Sequence, residues 1–201
     1  MPFSLLLIAC AAAVWTYLEM PFVSGAAVNQ AVAAVRRTTG GQPAQGTLII
    51  VDYSQPSQTR RLAVMNLATG RMELYAKVTH GKNSGAVLPD SFSNQEGSLQ
   101  SSLGLFQVGE AFNGKHGLSL RLVGLEPEKN DKALIRGIVL HAAPYVSVTS
   151  MLLNWQSGFR LGRSEGCFAL PDDDLIRLNA LLVRPAYVYA YGKNEVLREN
   201  P

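Results

Sequence analysis

Short apolar runs and alternating apolar positions dominate the chain and predict β-strands. Met72, Leu74, Ala76 and Val78 alternate with more polar neighbours, which is the pattern of a strand with one buried face. The other runs are bounded by turn-forming residues, as expected for strands joined by short loops. The predicted strands cover residues 48–53, 61–67, 72–78, 105–108, 118–125, 138–141, 168–170 and 187–191.

Two segments follow the helical period instead. Val28, Ala31, Val32 and Val35 fall at i, i+3, i+4 and i+7, so a short amphipathic helix precedes the first strand. A second helix is predicted after Pro171, because three aspartates favour a helix N-terminus and leucines then recur on one face up to Leu182. The tally predicts a mainly β fold with few helices, compatible with a sandwich or a barrel-like sheet pair.

The N-terminal segment differs from the rest in composition. Glu19 is the only charged residue before Arg36, and the apolar run ends near Ser24-Gly25-Ala26, a small-x-small cleavage motif. We therefore expect residues 1–26 to be a signal peptide or N-terminal anchor, residues 27–46 a helix and linker, and residues 47–201 the main domain. An export signal implies the periplasm or cell envelope. Lipid attachment at Cys10, membrane anchoring and a buried helix of a cytosolic protein remain alternatives.

Length and charge limit the number of domains and the classes of partner that the chain can be expected to have. The 201 residues suit one domain, and with 16% charged residues, a net charge of +3 and no Lys/Arg block, nucleic acid is not an expected partner.

Cys167 is the one cysteine outside the N-terminal segment, and His141 precedes it by 26 positions. If the strands that carry them are neighbours, the imidazole can take the thiol proton and form a nucleophilic ion pair. Gly166 permits a sharp turn that aims its amide and that of Cys167 at an oxyanion. Ser164 could hold this loop, Arg163 could bind a substrate carboxylate, and a carbonyl such as that of Ala142 could orient the histidine ring.

These residues resemble the L,D-transpeptidase (YkuD-like) catalytic domains, whose hallmark is a histidine followed after a loop by Ser-x-Gly-Cys. The resemblance covers roughly residues 48–171, through the segments 51–54, 79–85, 92–94, 101–104 and 136–142. It implies a β-sandwich with few peripheral helices. It also implies Cys167 as nucleophile, His141 as base, the Ala142 carbonyl as ring-orienting group and Gly166 as oxyanion donor.

The resemblance further implies peptidoglycan stem peptides as donor and acceptor, a thioester intermediate, acylation by carbapenems, and neither metal nor cofactor. Substrate contacts are expected from Arg163, Ser164, Glu165 and His80, although a structural role for His80 is an equal alternative. Many family members carry histidine where this chain has Glu165, and arginine soon after the cysteine, where it has Phe168-Ala169. Substrate contacts of the better-known branch therefore do not transfer.

Three other functional interpretations remain open. The thioester could be given to water, which would make the protein an L,D-carboxypeptidase or a cysteine amidase. The domain could bind the wall without catalysis, or hold zinc through His80, His116, His141 and Cys167, a valid ligand set whose spacing is unfavourable. His116 is otherwise expected to be only a turn residue. Trp155 and residues 151–153 could line a substrate cleft or simply pack.

Overall fold

The computed structural model describes residues 20–41, 45–154, 156 and 160–193. The helices are α1 (Gly25–Thr38), α2 (Val148–Leu153) and α3 (Asp172–Leu181), with a 3-10 turn at Pro144–Val146. The strands are β1 (Thr47–Asp52), β2 (Leu62–Asn66), β3 (Met72–Ala76), β4 (Gly104–Gly114), β5 (Gly117–Gly124), β6 (Val139–Ala142), β7 (Phe168–Leu170) and β8 (Ala186–Tyr191).

All eight strands belong to one sheet of order β3-β2-β1-β8-β4-β5-β6-β7. The β1–β8 and β6–β7 pairs are parallel and the others are antiparallel. The chain that follows β3 reaches the opposite edge, where Thr79 N–H donates to the Ala169 carbonyl (3.0 Å) and Gly81 pairs with Ser164. The sheet is therefore nearly closed into a barrel, and the prediction of a mainly β fold with few helices is confirmed.

The sheet is covered on both faces. Ile49 and Val51 of β1 point into the main core, which α3 caps with Leu175 and Leu178. Leu48 and Ile50 point the other way, into a second cluster under α1. Every residue of β1 is buried, which explains why its sequence is a continuous apolar run and not an alternation.

Helix α1 is part of this packing. It begins at Gly25, capped by Ser24, whose Oγ accepts from Ala27 N–H (3.2 Å) while its own N–H donates to buried Asp52 Oδ2 (2.8 Å). The motif predicted as a cleavage site thus forms the cap and first turn of α1. Residues 1–19, which hold Cys10 and most of the predicted signal or anchor of residues 1–26, lie outside the described residues. Among the described residues, no helix has the length and apolarity that a bilayer crossing requires.

The second predicted helix is present as α3, with Pro171 as its N-cap. Helix α2 was not predicted, since six residues are too few for a clear helical period. Its Met151 packs on Ala169 of β7, which covers the outer face of the sheet edge.

A buried arginine in the barrel interior is hydrogen-bonded to the segment after β3 that closes the sheet. Arg61 is fully buried, and its guanidinium donates to the carbonyls of Val78 (2.9 and 3.1 Å) and Gln55 (3.0 Å). It lies 4.9 Å over the Tyr53 ring and donates to His80 Nδ1 (2.9 Å). Burial lowers its pKa to about 10. These bonds position the segment that closes the sheet.

We expect Arg61→Met to lower the free energy of unfolding by about 3 kcal/mol, because it leaves buried acceptors without a donor. Arg71→Met, at an exposed turn position, is the control and should cost less than about 0.5 kcal/mol. Urea unfolding measures both. Equal losses in the two variants would contradict the structural role of Arg61.

Candidate active site

Strands β6 and β7 bring His141 and Cys167 to the same face of the sheet. Their parallel register pairs Leu140 with Phe168 and His141 with Ala169. Leu140 and Phe168 both lie in the main core. Because side chains alternate along a strand, His141 and Ala169 lie on the outer face, and Cys167, two residues before Ala169, shares that face. His141 lies on β6 and Cys167 directly precedes β7, so the two residues lie on one face at neighbouring strands.

The ring of His141 is hydrogen-bonded to its own strand. The side chain is 3% exposed, and Nδ1 lies 2.8 Å from the Ala142 carbonyl oxygen. A carbonyl only accepts, so Nδ1 carries the proton and Nε2 keeps its lone pair. This is the tautomer that a general base needs.

Burial decides the charge state of the pair. It raises the pKa of the Cys167 thiol, against the opposing effects of a Val139 backbone hydrogen bond and the charges of Lys115 and Arg136. It also lowers the pKa of His141. Both directions favour a neutral thiol beside a neutral imidazole. Desolvation thus opposes the ion pair expected from the sequence, because it penalises both charges, and the ion pair stays a prediction.

The loop before Cys167 is held by Ser164. Its Oγ accepts from Gly166 N–H (3.2 Å) and donates to the Cys167 carbonyl (2.6 Å). Gly166 has φ +118°, and a Cβ there would lie 2.8 Å from the Gln100 carbonyl oxygen. The Gly166 N–H, predicted as an oxyanion donor, thus already has a partner within the loop, because the turn folds it back onto Ser164.

His80 and Ser164, which were expected to contact the substrate, are buried. His80 is fully buried, its Nδ1 accepts from Arg61, and its Nε2 therefore carries the proton and donates to Gly85 O (3.2 Å). Burial, together with the charge of Arg61, lowers its pKa to about 3 and keeps it neutral. The His80 carbonyl accepts from Ser164 N–H (3.0 Å). Its position favours the structural alternative.

Arg163 and Glu165 lie at the surface beside Cys167. Arg163 Nη1 donates to the carbonyls of Lys82 (3.0 Å) and Gly85 (2.9 Å). Glu165 Oε1 lies 2.8 Å from Lys82 Nζ, and this hydrogen bond lowers the pKa of the carboxyl. Both side chains are exposed enough to meet a substrate, and that role stays a prediction.

The family model of the L,D-transpeptidase catalytic domain (YkuD_2) matches residues 19–191. The chain belongs to this family. No curated protein matches the chain at a significant level.

Solved structures of similar fold include the helical cell shape determining protein Pgp2 (K307A mutant) from Campylobacter jejuni, 16% identical at a TM-score of 0.50. The match covers 74% of this chain and 48% of that one. An L,D-transpeptidase from Mycobacterium smegmatis is 12% identical at a TM-score of 0.43, with 73% and 58% covered. The L,D-transpeptidase from Stackebrandtia nassauensis is 13% identical at 0.45, with 81% and 64% covered. The matches thus span about half to two thirds of these neighbours' chains.

Two groups beside the pair of this L,D-transpeptidase-family chain were missed from the sequence. Arg136 donates to the carbonyls of Ser93 (2.8 Å) and Gln100 (2.6 Å), and its charge lowers the pKa of Cys167. His116 lies in a turn, as expected, but its ring also stacks on that of His141 at a centroid distance of 4.6 Å. No sequence spacing signals either contact, because both arise from loops that fold back over the sheet.

The four candidate zinc ligands are not gathered in one place. His80 is enclosed with Arg61, whereas His116 stacks on His141. In the described part of the chain, no group of three or more His, Cys, Asp or Glu side chains could hold a metal ion. Of the predicted cleft residues, Met151 is buried, Leu152 and Leu153 are exposed, and Trp155 lies outside the described residues.

We expect Gly166→Ala to slow reaction of Cys167 by at least about tenfold, because both the positive φ and the approach to Gln100 oppose a side chain there. Gly70→Ala is the matched control, since Gly70 has φ +71° with open space around it. That control should lose about 1 kcal/mol of stability and no reactivity. Iodoacetamide labelling followed by mass spectrometry measures the rate, and wild-type speed in Gly166→Ala would contradict the prediction.

The pKa directions predict how labelling depends on pH. With the Cys167 pKa raised, the thiolate fraction at pH 7 is below that of an ordinary cysteine, so the labelling rate should climb about tenfold per unit from pH 7 to 9. Arg136→Gln removes a charge that holds this pKa down, and should move the curve to higher pH. Arg71→Gln should not move it. A rate already level from pH 5 upward would indicate the ion pair instead.

Proposed function

We propose that this protein is a peptidoglycan L,D-transpeptidase that joins stem peptides through a thioester on Cys167. One observation carries the proposal: the β6–β7 register sets Cys167 and His141 on one face, with His141 Nδ1–H bonded to Ala142. Family membership supports a peptidoglycan L,D-transpeptidase type of function. The nucleophile, the acceptor and an exported location in the envelope are parts of the proposal.

The neutral pair suggests a concerted first step. Cys167 Sγ attacks the carbonyl of the L-centre of the donor's diamino acid, while the thiol proton passes to His141 Nε2. The tetrahedral intermediate then collapses, the C–N bond breaks, and the terminal D-amino acid leaves with the proton from His141. The product of this half-reaction is a thioester on Cys167.

The second step reverses the roles. An acceptor amine attacks the thioester carbonyl and gives its proton to His141, an amide bond forms, and Cys167 leaves and regains its proton. Lys82, Glu165 and Arg163 lie together at the surface beside Cys167. Stem peptides carry both carboxylates and amines, so this mixed rim suits them. The Gly166 and Cys167 amides would bind the oxyanion after Gly166 N–H leaves Ser164 Oγ.

Purified muropeptides incubated with the protein test the proposal. We expect crosslinked dimers and released D-amino acid, both reduced at least about 10³-fold in Cys167→Ala and in His141→Ala. Thermal unfolding checks that the variants are folded. Crosslinks formed by Cys167→Ala would contradict the proposal, and monomers shortened by one residue without dimers would assign hydrolysis.

Carbapenem treatment gives a second readout of the same nucleophile. The intact mass of the wild-type protein should rise by one drug molecule, and that of Cys167→Ala should not change. A non-catalytic wall-binding domain would give no adduct in either protein.

A further inference from the structure

The tip of the β4–β5 hairpin reaches over the histidine of the catalytic pair. Gly114 pairs with Gly117 across a turn formed by Lys115 and His116. Ser119 of β5 lies opposite His141 of β6, so the turn projects just beyond the end of β6. The His116 ring is exposed, and it stacks on the nearly buried ring of His141 with an interplanar angle of 22°.

Several contacts hold this tip in place. Gly117 has φ +73°, the left-handed conformation that completes a tight hairpin turn. Ser119 Oγ donates to the Gly117 carbonyl (3.1 Å). Farther from the tip, Arg121 lies 5.0 Å over the Phe112 ring across the two strands. The stack therefore belongs to an ordered turn.

The Ala142 bond alone leaves the His141 ring free on one side. That bond sets the tautomer, yet a single hydrogen bond at Nδ1 acts as a pivot about which the ring can tilt. A flat ring stacked on the imidazole opposes this tilt, because tilting would break the ring contact. We propose that His116 is a positioning residue for His141, whose ring holds the imidazole plane that the Ala142 bond sets. This inference rests on the proposed function, in which His141 is the base.

The charged groups of the same turn have a separate effect on His141. The titratable and charged groups whose charge acts on His141 are His116 and Lys115 of the hairpin. His116 and Lys115 both act to lower the pKa of His141, after the larger effect of burial. Removing either one should raise that pKa and move the acid limb of the rate profile to higher pH. Ring positioning and charge can thus be measured apart.

Three variants of the full chain test the proposal. His116→Ala removes ring and charge, His116→Phe restores a flat ring without charge, and Lys115→Gln removes a charge but keeps the stack. We expect His116→Ala to lower kcat about threefold to tenfold with KM within twofold, the range for loss of one aromatic contact. His116→Phe should recover kcat to within about twofold, while the acid limb shifts to higher pH in all three.

A second readout does not need turnover. The chain has only three histidines, so ring nitrogen shifts of His141 can be assigned by NMR with single variants. We expect a narrow His141 Nδ1–H signal in the wild type and in His116→Phe, and a signal broadened by ring motion in His116→Ala. Unchanged kcat and line width in His116→Ala, or equal impairment in His116→Phe, would overturn the proposal. If the wild-type protein shows no turnover, the proposed function fails, and the NMR comparison still decides the role of His116.

Discussion

Strand β7 is hydrogen-bonded on both sides, and the position of Cys167 depends on both. On one side it pairs with β6, which carries His141. On the other, Thr79 bonds to Ala169, and the His80 carbonyl receives Ser164 N–H. A three-residue strand has too few hydrogen bonds to fix the loop that precedes it by itself. The closure of the sheet supplies the second set of hydrogen bonds. Arg61 and Tyr53 support the closing segment from the barrel interior. Arg61 donates to His80, and the Tyr53 hydroxyl donates to the Thr79 carbonyl (3.3 Å).

The same enclosure sets the chemistry of the pair. A loop packed between two backbone segments loses water, so the thiol resists ionisation and the imidazole resists protonation. Burial has a larger effect on the pKa of Cys167 than the opposing charges of Lys115 and Arg136. In the proposed mechanism, the thiolate therefore forms during attack, with proton transfer to His141.

Sequence patterns anticipated the scaffold well, because each signal was local. The strands, α1 and α3 follow directly from apolar periodicity, and the cysteine and histidine are marked by type and by neighbouring strands. Helix α2 was not predicted because its six residues are too few to show a helical period. The burial of His80 and the exposure of Arg163 could not be predicted either, since both residues belong to polar loops whose burial depends on distant segments.

Local sequence patterns were enough to predict the mainly β architecture and the two longer helices, and they identify Cys167 and His141 as the candidate pair. Apolar spacing and residue chemistry are properties of short stretches of chain, so they do not depend on contacts between distant segments. Three features emerge only from the tertiary structure: the burial that shifts the pKa values of Cys167 and His141, the bond between His80 and Arg61, and the stack of His116 on His141. Each of these depends on desolvation or on contacts between segments far apart in the chain, which local patterns do not encode.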